Sequence, residues 1–303
     1  YYAMMGLRIP SRGYNRHFKL LKETSVPLPP LPEQRRIAAV LTAVQRAIEQ
    51  QERLIALTTE LKKALMHKLF TQGTRNEPQK QTEIGPIPES WEVAQIKDVA
   101  SLISGGTPSK RTPEYWRGSV PWVSPKDMKL PRLQDVGDHI SEEALANGSK
   151  LAPAGSVFVV IRGMILAKDV PVALIEVPMA FNQDMKAIIP ESRICSEFLL
   201  YALMAYKANL FTRVGRSAHG TMTLTTSAIA NFWLPIPSTQ EQRQIADVLH
   251  NLDIKEHQHS RRALILQSLF RTLLHQLMTA ELRVDEVDMS ELAALGIDVD
   301  GAP

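Results

Sequence analysis

The stretch EQRRIAAVL, from Glu33 to Leu41, returns as EQRQIADVL from Glu241 to Leu249. No other feature constrains the fold as strongly. A constant shift of 208 positions extends the match without a gap: Gln50 falls on Gln258, Arg53 on Arg261, Leu61 on Leu269, His67 on His275, Thr71 on Thr279 and Arg75 on Arg283. Upstream, Pro27 and Pro29 match Pro235 and Pro237. Solenoid repeats run roughly 20–50 residues, so this period is far too long for one. A large unit has been duplicated.

Each copy reads as a long helix. Prolines end an extended segment before it, and an acid in its first turn suits the positive helix N-terminus. Seam positions then recur in steps of four and three. In the first copy they are Ile37, Leu41, Val44 and Ile48, then Gln51, Ile55, Thr58 and Lys62, and finally Leu65 and Leu69. In the second they are Ile245, Leu249 and Leu252, then Glu256, His259 and Ala263, and finally Leu266, Phe270, Leu273 and Leu277. Both seams share one register, apolar at the ends and polar near the middle. A helix of about 40 residues is roughly 60 Å long. Such a stripe must be covered, and the other copy is the nearest partner. Because a whole domain separates them, the two helices are expected to form an antiparallel coiled coil.

The helices frame the rest of the chain. The polar, proline-bearing stretch from Arg75 to Trp91 reads as a linker into a fold. Beyond it, short strands alternate with Gly and Pro, with strands expected at Val120–Val123, Ser156–Ile161, Val172–Val177 and Lys186–Ile189. Helices are expected at Ile96–Ile103, Glu142–Leu145 and Ser196–Ala208. The fold class is α+β. The organisation expected is a remnant of a first domain at 1–32, a first spacer helix at 33–75, a complete second domain with its incoming linker at 76–237, a second spacer helix at 238–280 and an acidic tail at 281–303. The remnant is expected because 1–32 aligns, by the same shift, with the end of the central domain. The chain lacks Met at position 1 and is expected to be cut from something longer.

Net charge is +3, yet 281–303 holds seven acids and one arginine, so this segment carries −6 and the remainder +9. A basic body is compatible with nucleic acid. Cys195 is the only cysteine, which excludes an intrachain disulfide or a zinc cluster and suits a reducing cytoplasm. No apolar run approaches a membrane span. Between Ile84 and Pro237 fifteen basic residues face fourteen acidic ones, so composition does not mark this domain as a binder of polyanions. Basic loops nevertheless stand out. SGGTPSKR ends in Lys110 and Arg111 on a glycine-rich, flexible loop, VSPKDMK carries Lys126 and Lys129, and VIRGMILAK carries Arg162 and Lys168. RVGRSAHGTMT combines Arg213, Arg216 and His219 with small residues. Lys and Arg contact phosphates, and Arg pairs bidentately with guanine. Any one of them is as readily a solvated surface charge.

Several chemistries find no support. GGTPSK lacks the spacing of a phosphate loop. Asn182–Asp184 and Asp127 show no paired acidic pattern for a nuclease, and the methyltransferase motif Asn-Pro-Pro-aromatic is absent. Trp91, Trp116, Trp122 and Trp233 suit core anchors. The chain is expected to be non-catalytic and to hold no metal.

IGPIPESW, GGTPSKRTPEYWRGSVPWVSPKDM, FNQDMKAIIP and LPIPSTQEQRQIADVL together resemble the specificity subunit of type I restriction-modification systems. In that family two target-recognition domains are joined by spacer helices, and this chain is expected to lack most of the first. The resemblance implies a non-catalytic subunit that reads a half-site of a bipartite duplex DNA target. It implies docking of two modification (methyltransferase) subunits, and of restriction (motor-nuclease) subunits through the complex. S-adenosylmethionine, ATP and magnesium would then be bound by those partners, with none on this chain. The shared seam register also allows two such chains to self-associate through their helices. The alternative is a coiled-coil assembly protein whose central domain binds a protein partner.

Overall fold

The computed structural model describes residues 28–297. Most of the remnant expected at 1–32 therefore lies outside the described residues, as do the last residues of the acidic segment. The described chain forms two compact units, a helix-pair unit of 28–61 with 252–297 and a central unit, Lys62–Asn251.

The first long helix, α1 (Leu31–Gln72), has Glu33 in its first turn. It stops at Gly73 for two reasons. The backbone there turns to φ +65°, and a Cβ would come within 2.8 Å of a Glu241 oxygen and 3.2 Å of the Trp91 ring. A hairpin follows, β1 (Gln79–Thr82) with β2 (Gly85–Pro88).

The further strands of the central unit are β3 (Glu92–Gln95), β4 (Ala100–Ser104), β5 (Val120–Val123), β6 (Arg132–Leu133), β7 (His139–Ile140), β8 (Leu151–Ala152), β9 (Val157–Val160), β10 (Val172–Ile175), β11 (Met179–Phe181), β12 (Met185–Pro190), β13 (Gly215–Arg216), β14 (Met222–Thr223) and β15 (Trp233–Ile236). Five make one sheet in the order β4-β12-β9-β10-β6, and four make a second in the order β7-β5-β11-β8. The runs Val157–Val160 and Val172–Ile175 are buried throughout, as strands covered on both faces must be. The helix α2 (Ser196–Ala205) buries every residue from Phe198 to Leu203 in the same core. β15 pairs antiparallel with β3, Trp233 opposite Gln95, so the two ends of the domain meet as one ribbon.

One expected helix is a strand. Over Ile96–Ile103 the chain makes a single 3-10 turn, Ile96–Asp98, and then β4. Five residues of β4 pair with β12, from Lys186 opposite Ser104 to Pro190 opposite Ala100. That ladder satisfies backbone groups that the local apolar spacing would equally have placed in a helix.

The second long helix is α3 (Thr239–Met278). At its start Ser238 accepts the Glu241 backbone N–H at 3.3 Å. The spacing is that of a capping box, but the Glu241 carboxylate turns elsewhere. One oxygen accepts the Thr74 amide at 2.8 Å and its hydroxyl at 2.9 Å, and the other accepts the Trp91 indole N–H at 3.1 Å. Glu241 is 1 % exposed and Trp91 fully buried. Beside it, Gln242 donates to the carbonyls of Arg193 and Pro237 and accepts the Cys195 amide. In the first copy Gln34 donates to the carbonyl of Pro29, the counterpart of Pro237.

Within the helix-pair unit, Ile37, Val44 and Ile48 share a buried cluster with Leu266, Leu273 and Leu277, and Leu41 packs against it. Glu52 meets Gln267 at 3.5 Å and Thr59 meets Glu256 at 3.2 Å, so the helices run antiparallel. At the polar middle of the seam the buried Gln51 side chain meets His259 at 2.9 Å. The remaining seam positions have another role. Leu69, Ile245 and Leu249 belong to the core of the central unit, with Leu65 packed against it. Leu252 is buried as well. The acidic segment also folds. A turn at Val284–Glu286 and a helix at Met289–Ala294 bury Val284, Leu292 and Ile297 in the helix-pair cluster, and Asp285 pairs with Arg36 at 2.9 Å.

Glu241→Ala leaves the buried Trp91 indole without an acceptor and removes the acceptor of the amide of the exposed Thr74. An unpaired buried donor costs about 1–3 kcal/mol, so the variant should lose about 2 kcal/mol, read as a lower urea midpoint with an unchanged slope.

Candidate nucleic-acid interface

The register of the sheets determines where the basic loops go. β12 runs antiparallel to both β4 and β9, with Lys186 opposite Ser104 and Met185 opposite Val160. The end of β4, the end of β9 and the start of β12 therefore lie together. β11 reaches the same place through Asn182–Asp184, and β5 runs parallel to β11 with Val123 opposite Phe181. Three loops consequently leave from one end of the sheets. They carry Lys110 and Arg111 after β4, Lys126 and Lys129 after β5, and Arg162 and Lys168 after β9, and all six residues are exposed.

The fourth basic stretch joins them. Arg162 makes a bridge to Thr223, the Gly163 amide donates to the Met222 carbonyl, and the Leu224 amide donates to the Ile161 carbonyl. These bonds seat the β13–β14 hairpin on the loop after β9. Arg216 and His219 are carried on that hairpin, and both are exposed. Arg213 stands apart. Its guanidinium donates to the carbonyls of Ala228 and Asn231 at 3.0 and 3.1 Å and lies over the Phe232 ring at 4.8 Å. It is spent on the fold.

The two glycines at the start of the loop after β4 are packed against other backbone. A Cβ on Gly105 would lie 2.2 Å from the Asn182 carbonyl oxygen, and one on Gly106 would lie 2.1 Å from that of Gly148. The Gly106 amide donates to the Phe181 carbonyl at 2.8 Å. The glycines allow backbone to press on backbone. Trp122 supports the same loop, donating its indole N–H to the Gly106 carbonyl. An open groove of about 640 Å³ lies alongside, lined by Lys110, Arg117, Lys126, Asp138 and the edges of Trp116 and Trp122. Arg117 was not among the residues singled out from the sequence, because RTPEYWRG carries no basic run around it. Only the fold brings it beside Lys110 and Lys126.

Several acids near this end are engaged, whereas the exposed Glu114 of the loop after β4 has no ion-pair partner among the described residues. Asp138 holds Lys126 at 2.6 Å, and their hydrogen bond, reinforced by the opposite charge, raises the lysine's pKa. Asp127 accepts the Ser124 amide and hydroxyl at 2.9 and 2.8 Å. Asp184 lies 3.9 Å from Arg162. Elsewhere Asp169 pairs with Lys207, and Glu92 with Arg193. Glu176 and Glu197 both hold Arg132, and although burial works against its charge, the Glu197 hydrogen bond raises its pKa. Among the described residues, no carboxylate lies within ion-pairing distance of Lys110, Arg111, Lys129, Lys168 or Arg216. A nearly neutral domain thus keeps one basic end. Also among the described residues, no group of three or more His, Cys, Asp or Glu side chains converges as a metal site, and no helix is long and apolar enough to cross a membrane.

The family model for the type I restriction modification DNA specificity domain matches residues 12–59 and 88–265, well over half of the chain. The chain belongs to this family. It is 30% identical over 234 residues to the type I restriction enzyme EcoR124I/EcoR124II specificity subunit of Escherichia coli, covering 77% of this chain and 56% of that one. The MjaIX specificity subunit of Methanocaldococcus jannaschii is 33% identical over 181 residues, covering 57% of this chain and 40% of that one. The chain thus spans about half the length of these relatives. Among solved structures, the HsdS subunit of Thermoanaerobacter tengcongensis superposes with a TM-score of 0.54 at 18% identity, covering 91% of this chain and 65% of that one. The S subunit from M. genitalium gives 0.55 at 18% identity, covering 81% and 60%. These likenesses show the fold, a mixed α+β domain with spacer helices.

Arg213→Ala removes two hydrogen bonds and a cation–π contact at a solvent-accessible site. It should cost about 1 kcal/mol in urea unfolding, whereas Arg216→Ala should stay within about 0.5 kcal/mol of the parent.

Proposed function

We propose that the central unit reads one half-site of a bipartite duplex DNA target through the basic end of its sheets. The observation that carries this reading is the convergence of three basic loops and the β13–β14 hairpin at one end of a domain with almost no net charge. Lys110, Arg111, Arg117, Lys126, Lys129, Arg162, Lys168 and Arg216 would meet phosphates, and His219 would lie at the groove edge. The other half-site would be read by a second recognition domain of the same kind, held at a fixed distance by the helices. Half-sites on one face of a duplex lie about 34–36 Å apart, well within the reach of helices of this length. The chain itself would do no chemistry and would work in the cytoplasm.

Reversing the charge at Lys126, Arg162 and Arg216 should abolish retention of duplex DNA by the assembled complex. Neutralising the same three should flatten the dependence of log K on log salt by nearly 3, at about 0.9 per phosphate contact. If the charge-reversed chain held DNA as firmly as the parent, the central unit would instead be a protein-binding module.

The helix pair would position two modification subunits, and restriction subunits through them. S-adenosylmethionine, ATP and magnesium would be bound by those subunits. Support comes from the repeat. Gln51 and His259, which touch across the seam, are equivalent residues under the 208-position shift. Two equivalent residues that meet across an antiparallel pair lie on a local twofold axis. That axis relates Leu57 to Ile265, and each is an exposed apolar side chain at 50 % accessibility. Two equivalent apolar sites suit two copies of one partner, and the same surfaces would serve any pairing of two such chains. Leu57→Glu or Ile265→Glu alone should leave one modification subunit bound in light-scattering mass measurements, and the double variant should leave none.

A further inference from the structure

The turn after β9 carries a feature that phosphate binding does not explain. Met164 is 62 % exposed and Ile165 42 % exposed, while Leu166 beside them is fully buried. The three residues sit in a single 3-10 turn, Met164–Ala167, entered through Gly163 at φ +128°. The turn is well anchored. The Leu166 amide donates to the Gly163 carbonyl at 3.1 Å, the Lys168 amide to the Ile165 carbonyl at 2.9 Å, and the Gly163 amide to the Met222 carbonyl at 3.1 Å. Two large apolar side chains are thus held out into solvent by a fixed backbone, with the exposed Arg162 before them and the exposed Lys168 after them.

A solvent-facing turn costs less with polar residues at its tip. A partner that covers this tip must be apolar where it meets Met164 and Ile165 and anionic on both sides. The major groove of DNA has that chemistry. The thymine C5-methyl groups are the apolar points on its otherwise polar floor, and rows of phosphates flank it on both sides.

We infer that Met164 and Ile165 are specificity-determining residues that pack on thymine methyl groups in the major groove, while Arg162 and Lys168 hold the flanking phosphates. This inference rests on the proposed DNA reading and adds the base chemistry that the turn selects.

The test begins with selection of a site from a random duplex pool by the assembled complex. Each thymine of that site is then replaced by uracil, which lacks only the methyl group. At one or two thymines, uracil should weaken binding by the parent about fourfold, the effect of one buried methyl. Met164→Ala with Ile165→Ala should weaken binding to the thymine duplex by a similar factor, be indifferent to uracil there, and keep the parent's salt slope. Met164→Leu should retain the thymine preference, and Lys168→Ala should lower the salt slope while leaving that preference intact. The inference is overturned if uracil costs nothing at every thymine, or costs the same in the parent and in the double variant. A pool from which no sequence emerges would instead count against the DNA reading itself.

Discussion

The carboxylate of Glu241 joins parts of the sequence that are far apart. It sits in the first turn of α3, where the unpaired amides favour negative charge, and it accepts from Thr74 just past the end of α1 and from Trp91 at the start of the central domain. A buried carboxylate is tolerable only when its lone pairs are filled. The fold fills them with the two segments that must be brought to the helix. Gly73 follows from this arrangement, since any side chain there would strike the carboxylate. Gln242 extends the joint, accepting the Cys195 amide at the entrance to α2. The positions of the sheets, and of the loops at their ends, depend on this group of hydrogen bonds.

The two long helices solve a different problem. An apolar seam over forty residues would pair in any register that is a multiple of seven, because each shift by a heptad restores the pattern. Polar residues at the middle remove that freedom. Gln51 is buried against His259, and Thr59 meets Glu256; any slip would bury at least one of these groups against a leucine. Polar seam positions give up some stability and gain a single register. The ends of the seams need no such device, because Leu69, Ile245 and Leu249 are fixed by the core of the central unit.

The helices, their common register and the duplicated unit were legible in the sequence, because a heptad seam is local and returns at ten positions in each copy. The buried strands β9 and β10 were legible as unbroken apolar runs, Val-Phe-Val-Val and Val-Ala-Leu-Ile. β4 was not, since Val99–Ile103 suits a helix face as well as a strand and only the partner β12 decides between them. The glycines of SGGTPSKR suggested mobility, whereas their cause is the close approach of Asn182 and Gly148, which lie far along the chain. Individual basic residues were readable, but their roles were not. Nothing in RVGRS distinguishes Arg213, tied to two carbonyls and an aromatic ring, from Arg216, which is exposed on the hairpin.

The charge of the central domain shows why composition misleads. Its basic and acidic residues nearly cancel, yet a duplex approaching the ends of β4, β5 and β9 would not meet a neutral surface. Glu176 and Glu197 are drawn to Arg132, Glu92 to Arg193 and Asp169 to Lys207, while Asp127 caps its own turn. Carboxylates engaged in such local bonds contribute little field at a distance, because each is compensated within a few ångströms. Among the described residues, Lys110, Arg111, Lys129, Lys168 and Arg216 of the converging loops have no carboxylate within ion-pairing distance, and their fields add. A domain built this way can change the side chains of its loops without disturbing either the ladder that aligns the loops or the hydrogen bonds of Glu241.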